Sequence, residues 1–288
     1  MSDFVIYTDS GCDLPLSLTE QWGVRRLELT FHFENEGKEY CGSEMEPDVF
    51  YGRMKAGEVA KTAAINMDTF KNAFEETLKE GRDVLYVGFS SGLSATYHSS
   101  TLAAEELVEE YPDRKVITVD TLAASAGQGM LVWLAMETQK NGGSIEETAQ
   151  AVENHKMHLA HWFTVDDLEY LKRGGRVSPA AAFVGGLLGI KPILHVDDEG
   201  HLIKMGTVRG RKASLKALAD KYMELACMPG ASPIYICNAV CPADVETLKG
   251  MLRDACGAEV DLVVDIGPVI GAHSGPGTIA VFFLGRER

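Results

Sequence analysis

The chain has 288 residues, 45% of them hydrophobic and 24% charged, the composition of a folded globular protein with room for one large or two modest cores. Its formal net charge of −15, from 27 basic and 42 acidic residues, opposes any broad nucleic-acid or anionic-membrane surface, because phosphates are repelled. An anion site must therefore be local, and disorder is excluded.

Phe4 to Thr8 reads as a first strand, and a long polar loop follows. A helix is predicted near Asp68 to Glu80, with Phe70, Ala73, Phe74 and Leu78 on one side. Strand Val84 to Phe89 then runs through a Ser-Ser-Gly-Leu-Ser turn into a helix after Ser94. Strand Val116 to Val119 precedes a helix around Ala124 to Thr138. Another helix begins at Ser144, where Ser144 and Glu147 stand at capping-box spacing. This β-α-β-α order predicts a parallel sheet covered by helices, with ligands at the carboxyl ends of its strands.

Beyond about His161 the rhythm changes. Strands are predicted at Trp162 to Val165, Pro192 to Val196, His201 to Val208, Ile234 to Asn238, Val260 to Val264 and Thr278 to Leu284. The "DDEG" turn joins the second and third as a hairpin. Helices are expected at Ala213 to Ala226 and Ala243 to Ala255, with Pro242 suited to a first helical turn. The expectation is an α/β chain of two domains, a parallel-sheet α/β domain over 1–160 and an α+β domain with a mostly antiparallel sheet over 161–288, with a cleft between them.

The six cysteines show no disulfide framework, and "MSDFVIYTDS" lacks the features of a signal peptide, so a reducing cytoplasm is expected. Cys237 and Cys241 have no nearby partners to complete a zinc site. The least polar run, "PAAAFVGGLLGI", falls short of the ~20 residues a membrane helix needs.

Four elements carry polar side chains at strand ends or loops. "TDSGCDLP" places Asp9, Ser10 and Asp13 where such residues bond their own turn backbone. "KTAAINMDTF" supplies Thr62. The Ser90 to Ser94 turn aims hydroxyls and the N–H groups of a helix start at one spot, where something with acceptor oxygens should sit. "GPVIGAHSGPGTIAVFF" reads as a loop holding His273 between the permissive Gly271 and Gly275. Phosphate-loop, dinucleotide, H-E-x-x-H and G-x-S-x-G signatures are absent. A hydrolase pairing Ser94 with His273 stays open, since such partners are recognised by geometry.

Together, "TDSGCDLP", Thr62 in "KTAAIN", "SSGLSATY", "VDT", "LEYLKRGGRVS", "GIKPIL", "GTVRGRK" and "GAHSGPG" resemble, in order and spacing, the DegV family, which includes the fatty-acid-binding subunits of bacterial fatty acid kinases. The resemblance spans nearly the whole chain. It implies a binding protein with no cofactor and no catalysis of its own, which buries a long-chain fatty acid in a tunnel. Thr62, Ser94 and His273 would hold the carboxylate, with Ser91, Gly92, Gly271 and Gly275 as supporting loop positions. It implies presentation of that carboxylate to a dihydroxyacetone-kinase-like, ATP-dependent fatty acid kinase subunit, which makes the acyl phosphate. Arg209 matches the basic region associated with docking of that partner, and Arg173 and Arg176, grouped with it as docking residues, match the "LKRGGR" segment near the site. A transient membrane contact is compatible with this, and a lipid sensor without a kinase is the alternative within the same fold.

The chain departs from the family's T-S-Q-P-S pattern at "TAAIN", where Ala63 and Ile65 replace Ser and Pro. That predicts a lost head-group contact or a shifted acyl preference. Each buried methylene contributes ~0.8 kcal/mol, so roughly fifteen contribute on the order of 12 kcal/mol before binding costs. The carboxylate must still be hydrogen-bonded once out of water, and hydroxyls plus backbone N–H groups at a helix start meet this need without a fixed positive charge. The apolar "AAAFVGGLLGIKPIL" is expected to line part of the tunnel.

Overall fold

The computed structural model describes residues 4–178, 180, 189–230 and 233–288. The first half is built from β1 (Phe4–Asp9), α1 (Leu16–Trp22), β2 (Arg25–Leu27), β3 (Thr30–Phe33), β4 (Tyr40–Cys41), α2 (Pro47–Lys55), β5 (Ala60–Ala63), α3 (Met67–Lys79), β6 (Asp83–Gly88), α4 (Thr96–Glu110), β7 (Val116–Asp120), α5 (Ser125–Lys140) and α6 (Ile145–Lys156). Strands β2-β1-β6-β7 form a parallel sheet in that order. All six residues of β1 are buried, as expected of a parallel strand covered on both faces. Helix α6 starts with the anticipated capping box, Ser144 and Glu147 each bonding the other's backbone N–H.

The second half contains β8 (Leu159–Thr164), α7 (Glu169–Arg173), β9 (Ile190–Val196), β10 (Leu202–Arg209), α8 (Arg211–Leu225), β11 (Ile234–Asn238), α9 (Pro242–Cys256), β12 (Leu262–Asp265), α10 (Pro268–Ser274) and β13 (Ile279–Leu284). Its six strands run in the order β10-β9-β8-β13-β11-β12. Every neighbouring pair is antiparallel except β11 with β12. The β9–β10 hairpin closes across the "DDEG" turn, and Pro242 opens α9.

Two stretches differ from the sequence reading. The supposed long polar loop after β1 holds α1, α2 and a three-stranded sheet, β4-β3-β5. Strands of two to four residues are too short to show an alternation. The supposed glycine loop around His273 is helix α10, with Pro268 in its first turn. Its internal Gly271 argues against a helix by propensity, and packing overrides it.

The layers follow from burial. Helices α3 and α4 cover one face of the parallel sheet through Phe70, Phe74, Ala103 and Leu107. Helices α8 and α9 cover the outer face of the mixed sheet through Leu215, Leu218, Leu248 and Leu252. Between the two sheets lies α5, whose residues Ser125 to Val132 are all buried, the behaviour of a helix apolar on every side. It contacts β1 and β6 on one side and β8, β11 and β13 on the other. No helix among the described residues is long and apolar enough to cross a membrane.

Candidate functional site

A cavity of about 270 Å³ opens between the sheets. Part of its wall follows directly on the parallel strands: Leu29 after β2, Phe89, Leu93 and Ser94 after β6, Ala124 and Ser125 after β7. This is where an open parallel sheet takes its ligands, because the strand ends and helix starts leave a crevice there. The opposite wall comes from the mixed sheet, with Phe163, Ala280, Phe282 and Cys237. Most of the lining is aliphatic or aromatic, and its polar groups gather chiefly near α10.

Thr62, Ser94 and His273 all line this cavity, although they are far apart in sequence. β5 carries Thr62, paired to Phe31 of β3, and its Oγ1 lies 2.8 Å from His273 Nε2. Ser94 sits in the turn before α4, 2.9 Å by its Oγ from Thr96 Oγ1, and also accepts the Thr96 N–H at 3.2 Å. Ile65 donates its N–H to the same Thr96 hydroxyl at 3.4 Å. A proline there would have no N–H to give, so the departure at "TAAIN" adds a link behind Ser94 while Ala63 faces the cavity without a hydroxyl.

Burial and then the nearby Arg176 charge hold the His273 imidazole down to about 4, so it is neutral near pH 7. Gly174 makes this position possible. A Cβ there would come within 2.1 Å of His273 Nδ1, so only a bare backbone lets the ring lie against the end of α7. Gly275, which follows α10, has φ 79°, a left-handed conformation that suits glycine. Gly271 does not need that freedom. It sits inside α10, where a Cβ would approach the Tyr51 hydroxyl to 2.3 Å.

Arg176 corrects the expectation that no fixed positive charge serves the site. Its side chain lines the cavity, donating Nε to the Leu93 carbonyl at 3.0 Å and Nη1 to the Gly174 carbonyl at 2.6 Å. The guanidinium thus ties the serine turn to the segment under His273 and places one cation among the hydroxyls. Its grouping with a docking surface does not match this inward placement. Arg173, by contrast, is exposed, 5.5 Å over the Tyr170 ring, and Arg209 is exposed at the end of β10.

Other expected residues lie outside the cavity wall. Ser91 is exposed and gives its N–H to Asp120, while Gly92 packs against the Glu199–Gly200 backbone of the hairpin turn. Ile190 to Leu194, expected to line the tunnel, are not in its wall, and residues 181–188 of that stretch lie outside the described residues. Asp9 does serve its own turn, accepting the Gly11 N–H, and also receives Tyr86 and Phe89. Asp13 reaches further: it accepts from the Ser125 hydroxyl at 2.5 Å and from the Gly267 N–H at 2.9 Å. It thereby clamps the start of α10 to the first strand's turn.

The family model described as "Uncharacterised protein, DegV family" matches residues 3–286. The chain belongs to the DegV family. A DegV domain-containing protein of Clostridium perfringens is 45% identical over 100% of this chain and 99% of its own length. A protein of Thermotoga maritima named "Fatty acid-binding protein" is 34% identical over 98% of this chain and 99% of its own. The solved structure described as fatty acid binding of a DegV family protein from Thermus thermophilus superposes with a TM-score of 0.88 at 31% identity, covering 98% of this chain and 99% of that one.

The geometry within this DegV chain also weighs against acyl hydrolysis. A serine nucleophile needs a base in hydrogen-bond reach and a third group to orient that base. The Ser94 hydroxyl bonds Thr96, and the His273 Nε2 bonds Thr62. His273 Nδ1 has no hydrogen-bond partner among the described residues. An imidazole held near 4 is a poor proton acceptor at neutral pH.

Proposed function

We propose that this chain binds a long-chain fatty acid, its tail in the cavity between the sheets and its carboxylate at the Thr62, Ser94 and His273 end. The observation that carries the reading is the joint placement of those three side chains and Arg176 at one end of a mostly apolar cavity. Burial of the tail supplies the affinity. Hydroxyl and guanidinium donors offset the desolvation of the carboxylate, and charge-assisted hydrogen bonds are the strong ones. The fatty-acid-binding relatives from Thermotoga and Thermus support the same assignment.

The test is native mass spectrometry and solvent extraction of the purified chain. A copurifying long-chain acid, or one taken up at one per chain, is expected. A chain that stays empty with both saturated and unsaturated acids overturns the proposal.

The same reading makes the chain a non-catalytic carrier. It hands its carboxylate to a separate ATP-dependent, dihydroxyacetone-kinase-like subunit through the exposed Arg173 and Arg209. Mixing the loaded chain with such a kinase and ATP should yield acyl phosphate, and Arg209→Glu should abolish this without changing fatty acid affinity. Full binding with no acyl phosphate would favour the lipid-sensor alternative. We place the protein in the cytoplasm, consistent with cysteines that form no disulfide in the structure. The cavity then lies between two domains, with the boundary expected at 160/161 moved to just before β8, so that the strand Leu159–Thr164 stays whole in the second.

A further inference from the structure

The cavity wall formed by β8 and β13 is not uniformly apolar. These strands are antiparallel neighbours in which Phe163 pairs with Ala280 and His161 with Phe282, and all four residues line the cavity. Alternate residues of a strand share a face, so the two pairs form successive rungs of one wall. Thr278, just before β13, is tied by its hydroxyl to the carbonyls of Ser274 and Gly275, next to His273. From Thr278 to Phe282 the strand advances about 13 Å at ~3.3 Å per residue. His161 therefore meets a tail well away from the carboxylate.

His161 is 1% exposed, and neither ring nitrogen has a hydrogen-bond partner among the described residues. Its ring stands edge-on to Phe282 with centroids 5.5 Å apart. On the other side is Gly127 of α5, where a Cβ would come within 2.5 Å of Nε2; the missing side chain is what admits the imidazole. Burial pushes its pKa well below the usual histidine value, with Arg288 and His195 adding to the effect and the Leu159 backbone opposing it more weakly, at a geometry that falls short of a hydrogen bond, so the ring is neutral and offers one N–H and one lone pair. The adjoining His195 is satisfied, its Nδ1 lying 3.0 Å from the His161 carbonyl. An unsatisfied buried polar group is costly, and a plain hydrocarbon tail cannot relieve it. An oxygen on the tail can.

We propose that the cavity favours fatty acids carrying a hydroxyl or keto oxygen in the part of the tail that lies against His161. This rests on the fatty-acid reading above and adds a second, mid-chain recognition point to it.

The test uses the full chain stripped of lipid. Stearate and a series of hydroxystearates, with the hydroxyl stepped along the middle carbons, are titrated into wild type, His161→Phe and His161→Leu. One isomer or two adjacent ones should bind wild type roughly tenfold tighter than stearate. Both variants should lose that preference and bind the isomers no more tightly than stearate. Should either variant fail to fold, ¹⁵N resonances of the His161 ring in wild type decide the matter: the preferred isomer must shift them and stearate must leave them near their free positions. Stearate binding with no positional preference, or a preference that survives both substitutions, overturns the role of His161 while the fatty-acid reading stands. If no fatty acid binds at all, the underlying reading fails and this inference with it.

Discussion

Replacing His273 by Gln should change how the stability of the fold responds to acid. In the folded chain burial, with Arg176 adding to it, holds the imidazole down from 6.5 to about 4. In the unfolded chain it returns to the ordinary ~6.5. Between those values the unfolded state binds a proton that the native state refuses, so wild type loses stability as the pH falls through the window. The drop from 6.5 to about 4, at about 1.36 kcal/mol per pH unit, comes to on the order of 3 kcal/mol. Asp13 works in the opposite sense: burial pushes its carboxyl up from 3.8 to about 7, so its contribution favours the folded state in acid and is lost as the pH rises across that range. Wild-type curves alone therefore mix two opposing slopes. The difference between wild type and His273→Gln removes the Asp13 contribution, which both chains share. Urea unfolding across this range should show the variant gaining on wild type as the medium is acidified from 6.5 towards 4. A constant offset over the whole range would mean that His273 titrates like an exposed histidine, and the neutral hydrogen-bonding role assigned to it would fall.

Ser94→Ala and Thr62→Val should each weaken fatty acid binding roughly five- to twentyfold with an unchanged circular dichroism spectrum; calorimetric titration reads this, and undiminished affinity would place the carboxylate elsewhere. Gly174→Ala sets a Cβ against His273 Nδ1 and should loosen binding more than Ser94→Ala does, whereas Gly206→Ala, with nothing within 4 Å of its added Cβ, should leave it unaltered. Ala280 faces Phe163 and Cys237 across its neighbouring strands, and all three line the cavity. Ala280→Leu should therefore shift the preferred acids to shorter chains in a mass-spectrometric competition, and an unchanged chain-length profile would mean that the tail does not run along β13.

The parts of the site that were legible in the sequence are those whose signal is local. A strand that stops in a serine-rich turn and restarts as a helix marks Ser94 without any knowledge of the rest of the fold. The hairpin across "DDEG", the capping box at Ser144 and the proline opening α9 are likewise decided within a few residues of chain. Gly174 was less visible. The "KRGGR" segment was noted for its charges, yet the demand on its first glycine comes from His273, roughly a hundred residues later in the chain. Arg176 was legible in part: the resemblance sets its segment near the site, but only the positions of the Leu93 and Gly174 carbonyls draw its side chain into the cavity wall.

Hydrophobic periodicity, caps and turn residues thus determined the class of fold and most of its longer elements, because each of these depends on neighbours a turn or a strand away, while the resemblance to the DegV family is what assigned Thr62, Ser94 and His273 to a head group. Tertiary structure alone decided that Thr62 meets His273, that α5 is enclosed by two sheets, that the loop around Gly271 is a helix, and that His161 stands in the cavity wall. Those outcomes arise from contacts between segments that are distant along the chain, where burial and close packing outweigh the preferences of any single stretch.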